Sequence, residues 1–294
     1  MIVIRPIEVT EANLSSQVPM SEPEWVAGPV PKGDERRVGV NLYRAVTDTA
    51  DSPQDGIQAD PPTWIHLGFI NRFQMFDEYY HSQTEFDGDV EVTVSPNEVV
   101  NSVTLLNLDA VVARILIQDE QGAPIYDRSE ALVDNSQIAN YADYFFSPVL
   151  RRKDLTFTDL PSYSRPVQVT VTGGEGASTK VGAVLLGRQR KIGTTTYGTT
   201  SNYINGSLKE RDEFGRFQIV ERNSYNLISY NVAAPTRDID HIKTFLANVA
   251  NTPCVYIGDE ARSGTITYGY LRDFGIPYDT VSISKFDLEV ESVT

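Results

Sequence analysis

Val167-Gln168-Val169-Thr170-Val171 alternates β-branched apolar residues with polar ones, which is the pattern of a strand that buries one face. Further stretches of strand length and apolar character are Val90-Glu91-Val92-Thr93-Val94, 102–108, 111–117 and 181–186. Turns that contain glycine or proline separate these stretches, and no strong helical pattern lies between them. Regularly spaced short strands of this kind predict a mainly β protein, with an antiparallel, jelly-roll-like β-sandwich over residues 77–193.

The segments before the sandwich have a different character. Residues 1–24 show no strong period, so we expect an extended arm that docks either on its own domain or on a neighbouring subunit. Residues 25–76 are rich in turn residues and leave room only for short strands such as 38–46. Because aliphatic residues are few there, Trp25, Tyr43 and Trp64 are expected to form the miniature core of a small module.

Residues 194–294 predict an α+β domain. Asp212-Glu213-Phe214-Gly215 is expected to be the turn of a hairpin, and Thr236 or Asp238 can cap a helix. Apolar residues at helical spacing follow, at Ile239, Ile242, Phe245, Leu246 and Val249. Strand candidates come next, at 255–257, 265–271 and 281–293. One helix among hairpins is typical of a helix laid on one face of a sheet.

A shorter aromatic segment lies inside the sandwich region, at residues 136–146. It is expected to form either a short helix or a loop. Its four aromatic residues, Tyr141, Tyr144, Phe145 and Phe146, need burial somewhere.

The charge balance limits the possible partners. The chain has 294 residues and a formal net charge of −15, from 40 acidic against 25 basic side chains. Binding to nucleic acid or to anionic lipid needs Lys and Arg to displace counterions, so we expect neither partner. No stretch approaches the roughly 20 apolar residues of a membrane-spanning helix. No signal peptide is recognisable. We therefore expect the chain to be made in a cytoplasm and not to insert into a membrane.

Signals for catalysis are weak. His66, His81 and His241 are isolated from one another and from any nucleophile motif, and the single Cys254 cannot form an internal disulfide. We therefore predict no enzyme activity and no cofactor. The densest acidic group, Asp87-Gly88-Asp89-Val90-Glu91, is either a weak Ca²⁺ site or a solvated turn that enters a strand. Paired carboxylates could also serve glycoside hydrolysis, which we regard as the least favoured reading.

The aromatic residues of the small module suggest a binding function. Trp25, Lys32-Gly33-Asp34, Val38, Tyr43 and Trp64 follow a spacing that resembles small chitin-binding-like modules of the carbohydrate-binding type. In those modules flat rings stack on sugars, so the resemblance implies a glycan site at Trp25, Tyr43 and Trp64. Val30 stands where the pattern has a tyrosine. The alternative is that the three rings serve as core and interface.

The segment after this module carries a second resemblance. Trp64-Ile65-His66-Leu67-Gly68-Phe69-Ile70-Asn71-Arg72-Phe73-Gln74-Met75-Phe76-Asp77 resembles the junction that joins a chitin-binding-like module to a β-sandwich in virion proteins of tailed bacteriophages. The residues that would fasten the module to the sandwich are Asn71, Arg72, Phe73, Met75, Phe76 and Asp77. The C-terminal unit is also similar to phage tail proteins, for example at Arg272-Asp273-Phe274.

These resemblances imply a function and a location. The expected protein is a non-enzymatic component of a phage tail, near the tail tip or baseplate, which forms a symmetric ring with itself and binds other tail proteins. It would be assembled in the host cytoplasm and be located in the virion. The alternative is a receptor-binding tail protein that recognises a host surface glycan.

Charge is unevenly distributed along the chain. Residues 77–134 contain thirteen acidic side chains against two basic ones, whereas residues 151–222 contain twelve basic against seven acidic. Candidate assembly patches are Asp87, Asp89 and Glu91 on the acidic side and Arg151, Arg152, Arg188, Arg190 and Lys191 on the basic side. Two outcomes are open: the patches pair between copies in a head-to-tail ring, or they neutralise each other within one subunit.

Overall fold

The structure, a computed structural model, describes residues 1–134, 138–146, 150–174, 176–211, 215–260, 262–277 and 282–293. The elements of the first 76 residues are β1 (Ile2–Pro6), β2 (Leu14–Ser16), β3 (Glu35–Val38), β4 (Asn41–Ala45), α1 (Pro53–Gln58), β5 (Trp64–Phe69) and α2 (Asn71–Gln74). Those of the middle region are β6 (Thr84–Asp87), β7 (Val90–Val94), β8 (Ser102–Asp109), β9 (Val112–Gln118), β10 (Pro124–Ala131), β11 (Val133–Asp134), α3 (Tyr141–Phe146), β12 (Leu150–Arg151), β13 (Leu155–Phe157), β14 (Val167–Thr172) and β15 (Ser178–Lys191). The last region contains β16 (Thr194–Thr195), β17 (Thr200–Ile204), β18 (Leu208–Arg211), β19 (Phe217–Val220), β20 (Tyr225–Pro235), α4 (Ile239–Val249), β21 (Cys254–Ile257), β22 (Ile266–Gly275) and β23 (Ile283–Ser292).

The middle region forms a β-sandwich, and the prediction of a mainly β protein is confirmed. One sheet has the strand order β10-β9-β14-β7-β2. It packs face to face on the part of a larger sheet that contains β6, β8, β13 and β15, and one apolar core fills the space between them. Val92 and Ile115 enter this core from the first sheet, and Leu105 and Val184 enter it from the second. The alternation seen in the sequence is the alternation of these buried and exposed faces.

The N-terminal strand joins the sandwich to the C-terminal unit. β1 pairs antiparallel with β15 of the sandwich on one edge and with β21 on the other, so that the large sheet runs on without interruption as β15-β1-β21-β22-β23-β20. Val3 packs into the core of the C-terminal unit, while Ile4 packs into a cluster on the opposite face. The sequence left open whether the arm docks on its own domain or on a neighbour. Both β1 and β2 pair with strands of their own chain.

The C-terminal unit carries its helix on one face of this sheet, as the periodicity predicted. Ile242, Leu246 and Val249 of α4 pack with Tyr230 and Phe286 of the sheet in one apolar core. A 3₁₀ turn, Thr236–Asp238, leads into the helix, and Asp238 takes the N-cap position without a side-chain cap bond. Among the described residues, no helix is long and apolar enough to span a membrane.

The small module is a three-stranded sheet, β3-β4-β5, with the short helix α1 beside it. The single strand expected over 38–46 is instead a hairpin: β3 ends at Val38 and β4 begins at Asn41. Gly39 has a φ of +59°, which suits glycine in a tight turn between two strands. The chain therefore reverses direction where the sequence suggested a continuous strand.

The close approach of β1 and β15 at Gly187 gives a first test of the shared sheet. A Cβ atom at Gly187 would lie 2.2 Å from the carbonyl oxygen of Arg5, whereas a Cβ atom at Gly275, at the end of β22, would meet nothing within 4 Å. We expect Gly187→Ala to push β1 away and to lower the free energy of unfolding by about 1–3 kcal/mol. Gly275→Ala is the matched control and should change it by less than about 0.5 kcal/mol. Chemical denaturation measures both values, and equal effects would contradict the importance of this contact.

Candidate functional site

The three rings proposed as a glycan platform lie mainly in the core of the small module. Trp64 is 1% exposed and Tyr43 is 8% exposed, and they pack with Val30 and Ala45. The indole N–H of Trp64 donates to the carbonyl oxygen of Asp51 (3.1 Å). Trp25 is half-buried against the same cluster. Stacking on a sugar needs an exposed ring face, so the predicted three-ring platform is not present as a surface, and the core alternative describes Tyr43 and Trp64.

The junction segment contacts both the module and the sandwich. Phe73 and Met75 are buried in the sandwich core, and Phe76 packs against that core from its edge. On the module side, the N–H of Ile70 donates to the carbonyl oxygen of Val40 (2.9 Å). On the sandwich side, the carbonyl oxygen of Met75 accepts from the N–H of Val184 (2.7 Å). These residues therefore lie between the two units that the sequence expected them to join.

Asn71 is the polar centre of this junction. Its backbone N–H donates to the carboxylate of Glu22 (2.9 Å), and its side-chain amide exchanges two hydrogen bonds of 2.9 Å with the backbone of Glu85. Its carbonyl oxygen accepts from the hydroxyl of Thr84 (2.7 Å), whose oxygen accepts in turn from the N–H of Met75 (3.0 Å). Asn71 thus ties the arm, α2 and β6 together. Arg72 is half-buried, and its Nε atom has no hydrogen-bond partner among the described residues.

The acidic and basic segments do not form two separate surfaces. Strand β14 of the basic segment lies between β7 and β9 of the acidic segment, and β15 of the basic segment pairs with β6 and β8 of the acidic one. Ion pairs cross between the segments within one subunit: Arg151–Asp109 (3.7 Å), Arg165–Glu120 (3.4 Å) and Lys180–Glu85. The arrangement follows the second of the two outcomes, neutralisation within a subunit.

The individual patch residues are scattered. Asp87, Asp89 and Glu91 are exposed on and beside β6 and β7. Arg152 donates to the carbonyl oxygen of Ala131 (2.7 Å), and the guanidinium of Arg190 lies 4.6 Å from the centre of the Phe245 ring. Arg188 and Lys191 are exposed at the end of β15. Among the residues that the structure describes, no group of three or more His, Cys, Asp or Glu side chains is arranged to hold a metal ion.

A cavity of about 840 Å³ opens beside the junction segment, and we call it the junction cleft. Its walls come from five parts of the chain: the arm from the end of β1 onward, the module, the junction segment, the sandwich (Glu98, Val184 and Leu185) and the C-terminal unit. Apolar residues line it, namely the partly buried Ile7, Val9, Val40, Phe69 and Phe76 and the buried Tyr268. Its exposed carboxylates are those of Glu8, Glu11, Glu78 and Glu98. Among the described residues that line the cleft, Arg5 is the only basic one of the lysine or arginine type. The cleft is therefore apolar inside and acidic outside.

Asp77 lies at the inner wall of the junction cleft and is 7% exposed. Its carboxylate accepts from the N–H of Tyr79 (2.8 Å) and from the hydroxyl of Ser82 (2.6 Å). Burial raises the pKa of this carboxyl, and the two hydrogen bonds oppose that rise only in part. Asp77 thus holds the turn after the junction through these two hydrogen bonds. Its burial makes ionisation of the carboxyl less favourable than in water.

Large apolar side chains are exposed on a separate two-stranded β-ribbon, which lies between β17 and β20 in the sequence. β18 and β19 pair with each other as the sequence predicted, while the turn residues 212–214 lie outside the described residues. Every residue of these two strands is exposed, including Phe217 (56%) and Ile219 (55%). We call this pair of strands the outer ribbon. The sequence pattern predicts this hairpin. It does not indicate that the apolar side chains of the hairpin are exposed, because apolar residues are usually buried within their own chain.

The aromatic helix α3 contradicts the expectation of burial. Among its described side chains, those of Tyr141, Tyr144, Phe145 and Phe146 are each 67–87% exposed. Tyr144 and Phe145 contact each other edge to face, with ring centres 5.3 Å apart. A cluster of four exposed aromatic side chains on one short helix is a typical interaction surface.

The raised pKa of Asp77 leads to a pH-dependent prediction. The folded state holds the Asp77 proton more tightly than the unfolded state does, so wild-type stability should fall relative to Asp77→Asn as pH rises from about 4 to about 7. Asparagine retains an oxygen for the Tyr79 N–H and can donate to Ser82, so the variant should fold. Urea denaturation across this pH range measures the difference. Asp87→Asn, at an exposed aspartate, controls for the loss of one charge, and a pH-independent difference for Asp77→Asn would contradict the argument.

No protein-family model matches the chain, and no curated protein matches it.

Proposed function

We propose that this chain is a structural, non-enzymatic subunit that assembles with copies of itself in the tail of a bacteriophage. The observation that carries the assembly part is the exposure of apolar side chains on the outer ribbon and on helix α3. Most large apolar residues elsewhere in the described chain fill continuous cores, although some, such as Val26, Tyr197 and Tyr203, are also exposed. The outer ribbon and α3 each present several large apolar residues together, and such groups favour partners that cover them.

The outer ribbon also supports this proposal through its architecture. A two-stranded ribbon without a third strand or a covering helix is marginally stable in water. Full burial of a Phe or Ile side chain contributes roughly 1.5–3 kcal/mol, so contact with a partner would stabilise the ribbon directly. Assembly then supplies the packing that the single chain does not give to these residues.

The phage-tail part of the proposal rests on the resemblance of residues 64–77 and of the C-terminal unit to virion tail proteins. Its supporting observation is the position of Phe73 and Met75 in the sandwich core, which suits a rigid joint between a small module and a sandwich. A rigid joint holds the module at a fixed angle, as a subunit of a symmetric ring requires. The subunit would form part of a ring at the tail tip or baseplate, where other tail proteins would be its neighbours.

Self-assembly can be measured directly. We expect sedimentation analysis and negative-stain electron microscopy of the purified protein to detect oligomers of closed symmetry at micromolar concentration. The double variant Phe217→Ser/Ile219→Ser should weaken association at least about tenfold, because it removes apolar contact area from the outer ribbon. At concentrations too low for association, its melting temperature should stay close to that of the wild type, since both residues are exposed.

A matched control variant distinguishes this surface from a general effect. Tyr163→Ser changes an aromatic residue that is 50% exposed on a sandwich loop, and it should leave association unchanged. Monomers at all concentrations for the wild-type protein would contradict self-assembly. The tail location is tested separately, by antibody labelling of phage particles that contain the chain: label confined to the tail tip supports the proposal, and label on the capsid contradicts it.

A further inference from the structure

We infer that the outer ribbon of one copy docks in the junction cleft of a second copy. This inference rests on the proposed self-assembly and names the two surfaces that meet. It commits to a second copy of this chain as the occupant of the cleft.

The outer ribbon has two chemically different faces. In the pairing of β18 with β19, Lys209 lies opposite Ile219 and Arg211 lies opposite Phe217. Side chains two residues apart in a strand share a face, so these four residues form one face. The Arg211 guanidinium lies 5.9 Å from the centre of the Phe217 ring on this face. We call it the cationic face, because both of its charged residues are basic.

The opposite face of the ribbon has a different character. It carries Leu208, Glu210, Gln218 and Val220, with a carboxylate in place of the two basic groups. An acidic receptor would therefore distinguish between the two faces of the ribbon. The cationic face is the one that such a receptor would bind.

The junction cleft complements the cationic face. Its apolar lining offers contact to Phe217 and Ile219, while Glu8, Glu11 and Glu98 at its opening offer carboxylates to Lys209 and Arg211. Within the described chain, none of these three glutamates forms an ion pair. The volume of about 840 Å³ is ample for the two apolar side chains. Apolar contact would supply affinity, and the charges would fix which face of the ribbon enters.

Within one copy the two surfaces lie at different parts of the large sheet. The cleft lies beside β1, whereas the ribbon continues from β17 and β20 at the other side of the sheet. Five strand-to-strand steps separate β1 from β17, which is about 24 Å at 4.8 Å per step. A ribbon that binds the cleft of the next copy makes a head-to-tail contact. Such contacts generate a ring when the rotation between neighbours closes.

Charge reversal on each side, followed by mixing, tests this docking. Lys209→Glu/Arg211→Glu and Glu8→Lys/Glu11→Lys should each weaken association at least about tenfold when present alone. An equimolar mixture of the two variants should recover association, because reversed ribbons match reversed clefts and the unchanged ribbons match the unchanged clefts. The control is Lys243→Glu, at an exposed lysine of α4, which should associate as the wild type does.

Zero-length carbodiimide cross-linking of a mixture of ¹⁴N- and ¹⁵N-labelled wild-type protein locates the contact independently. Cross-links between Lys209 of one copy and Glu8, Glu11, Glu78 or Glu98 of the other are expected. Association that survives both charge reversals, or mixed-isotope cross-links that map only to other carboxylates, would overturn the docking and leave self-assembly intact. Absence of any association of the wild-type protein would overturn both.

Discussion

The pairing of one short strand on both of its edges is the constraint on which the rest of the structure depends. Strand β1 satisfies its backbone groups against β15 and β21, so that two units with separate cores share one sheet. Without it, β15 and β21 would each present an unpaired edge at the centre of the protein. The same chain segment continues into the wall of the junction cleft and then into β2 on the other sheet of the sandwich. The position of the first sixteen residues therefore fixes the sandwich, the C-terminal unit and the cleft relative to one another.

Local patterns in the sequence predicted the local structure well. The alternation at 90–94 and 167–171 became β7 and β14, and the helical spacing after residue 238 became α4. These patterns are reliable because each element buries one face and the period of its apolar residues follows directly. The long-range pairing of β1 was not predictable in the same way, since its five residues do not identify partners more than 170 positions further along the chain. The turn at Gly39 was also not predicted. A turn of two residues interrupts the apolar pattern of 38–46 only briefly, so that pattern suggested a continuous strand.

The candidate surfaces were harder to predict than the fold. Trp64 and Tyr43 have the residue types of a sugar-binding platform, but the module has so few aliphatic residues that its aromatic rings are needed in the core. The walls of the junction cleft come from five separate parts of the chain, and no pattern within any one of them indicates the cleft. The acidic and basic segments suggested two separately charged surfaces. Antiparallel pairing instead places strands that are distant in sequence side by side, so the two kinds of charge mix. Blocks of charge along a β-rich chain thus become mixtures on its surface.

The position of β1 also has a consequence for synthesis. Its residues leave the ribosome before those of β21, which follow roughly 250 residues later, or tens of seconds at about 5–20 residues per second. During that time Val3 and Ile4 have at most one of their two neighbouring strands. The small module needs only local contacts and can fold early, but the large sheet can close only after β21, β22 and β23 have been made. The nascent chain therefore carries the apolar strand β1 without one of its two partner strands until β21 has been made.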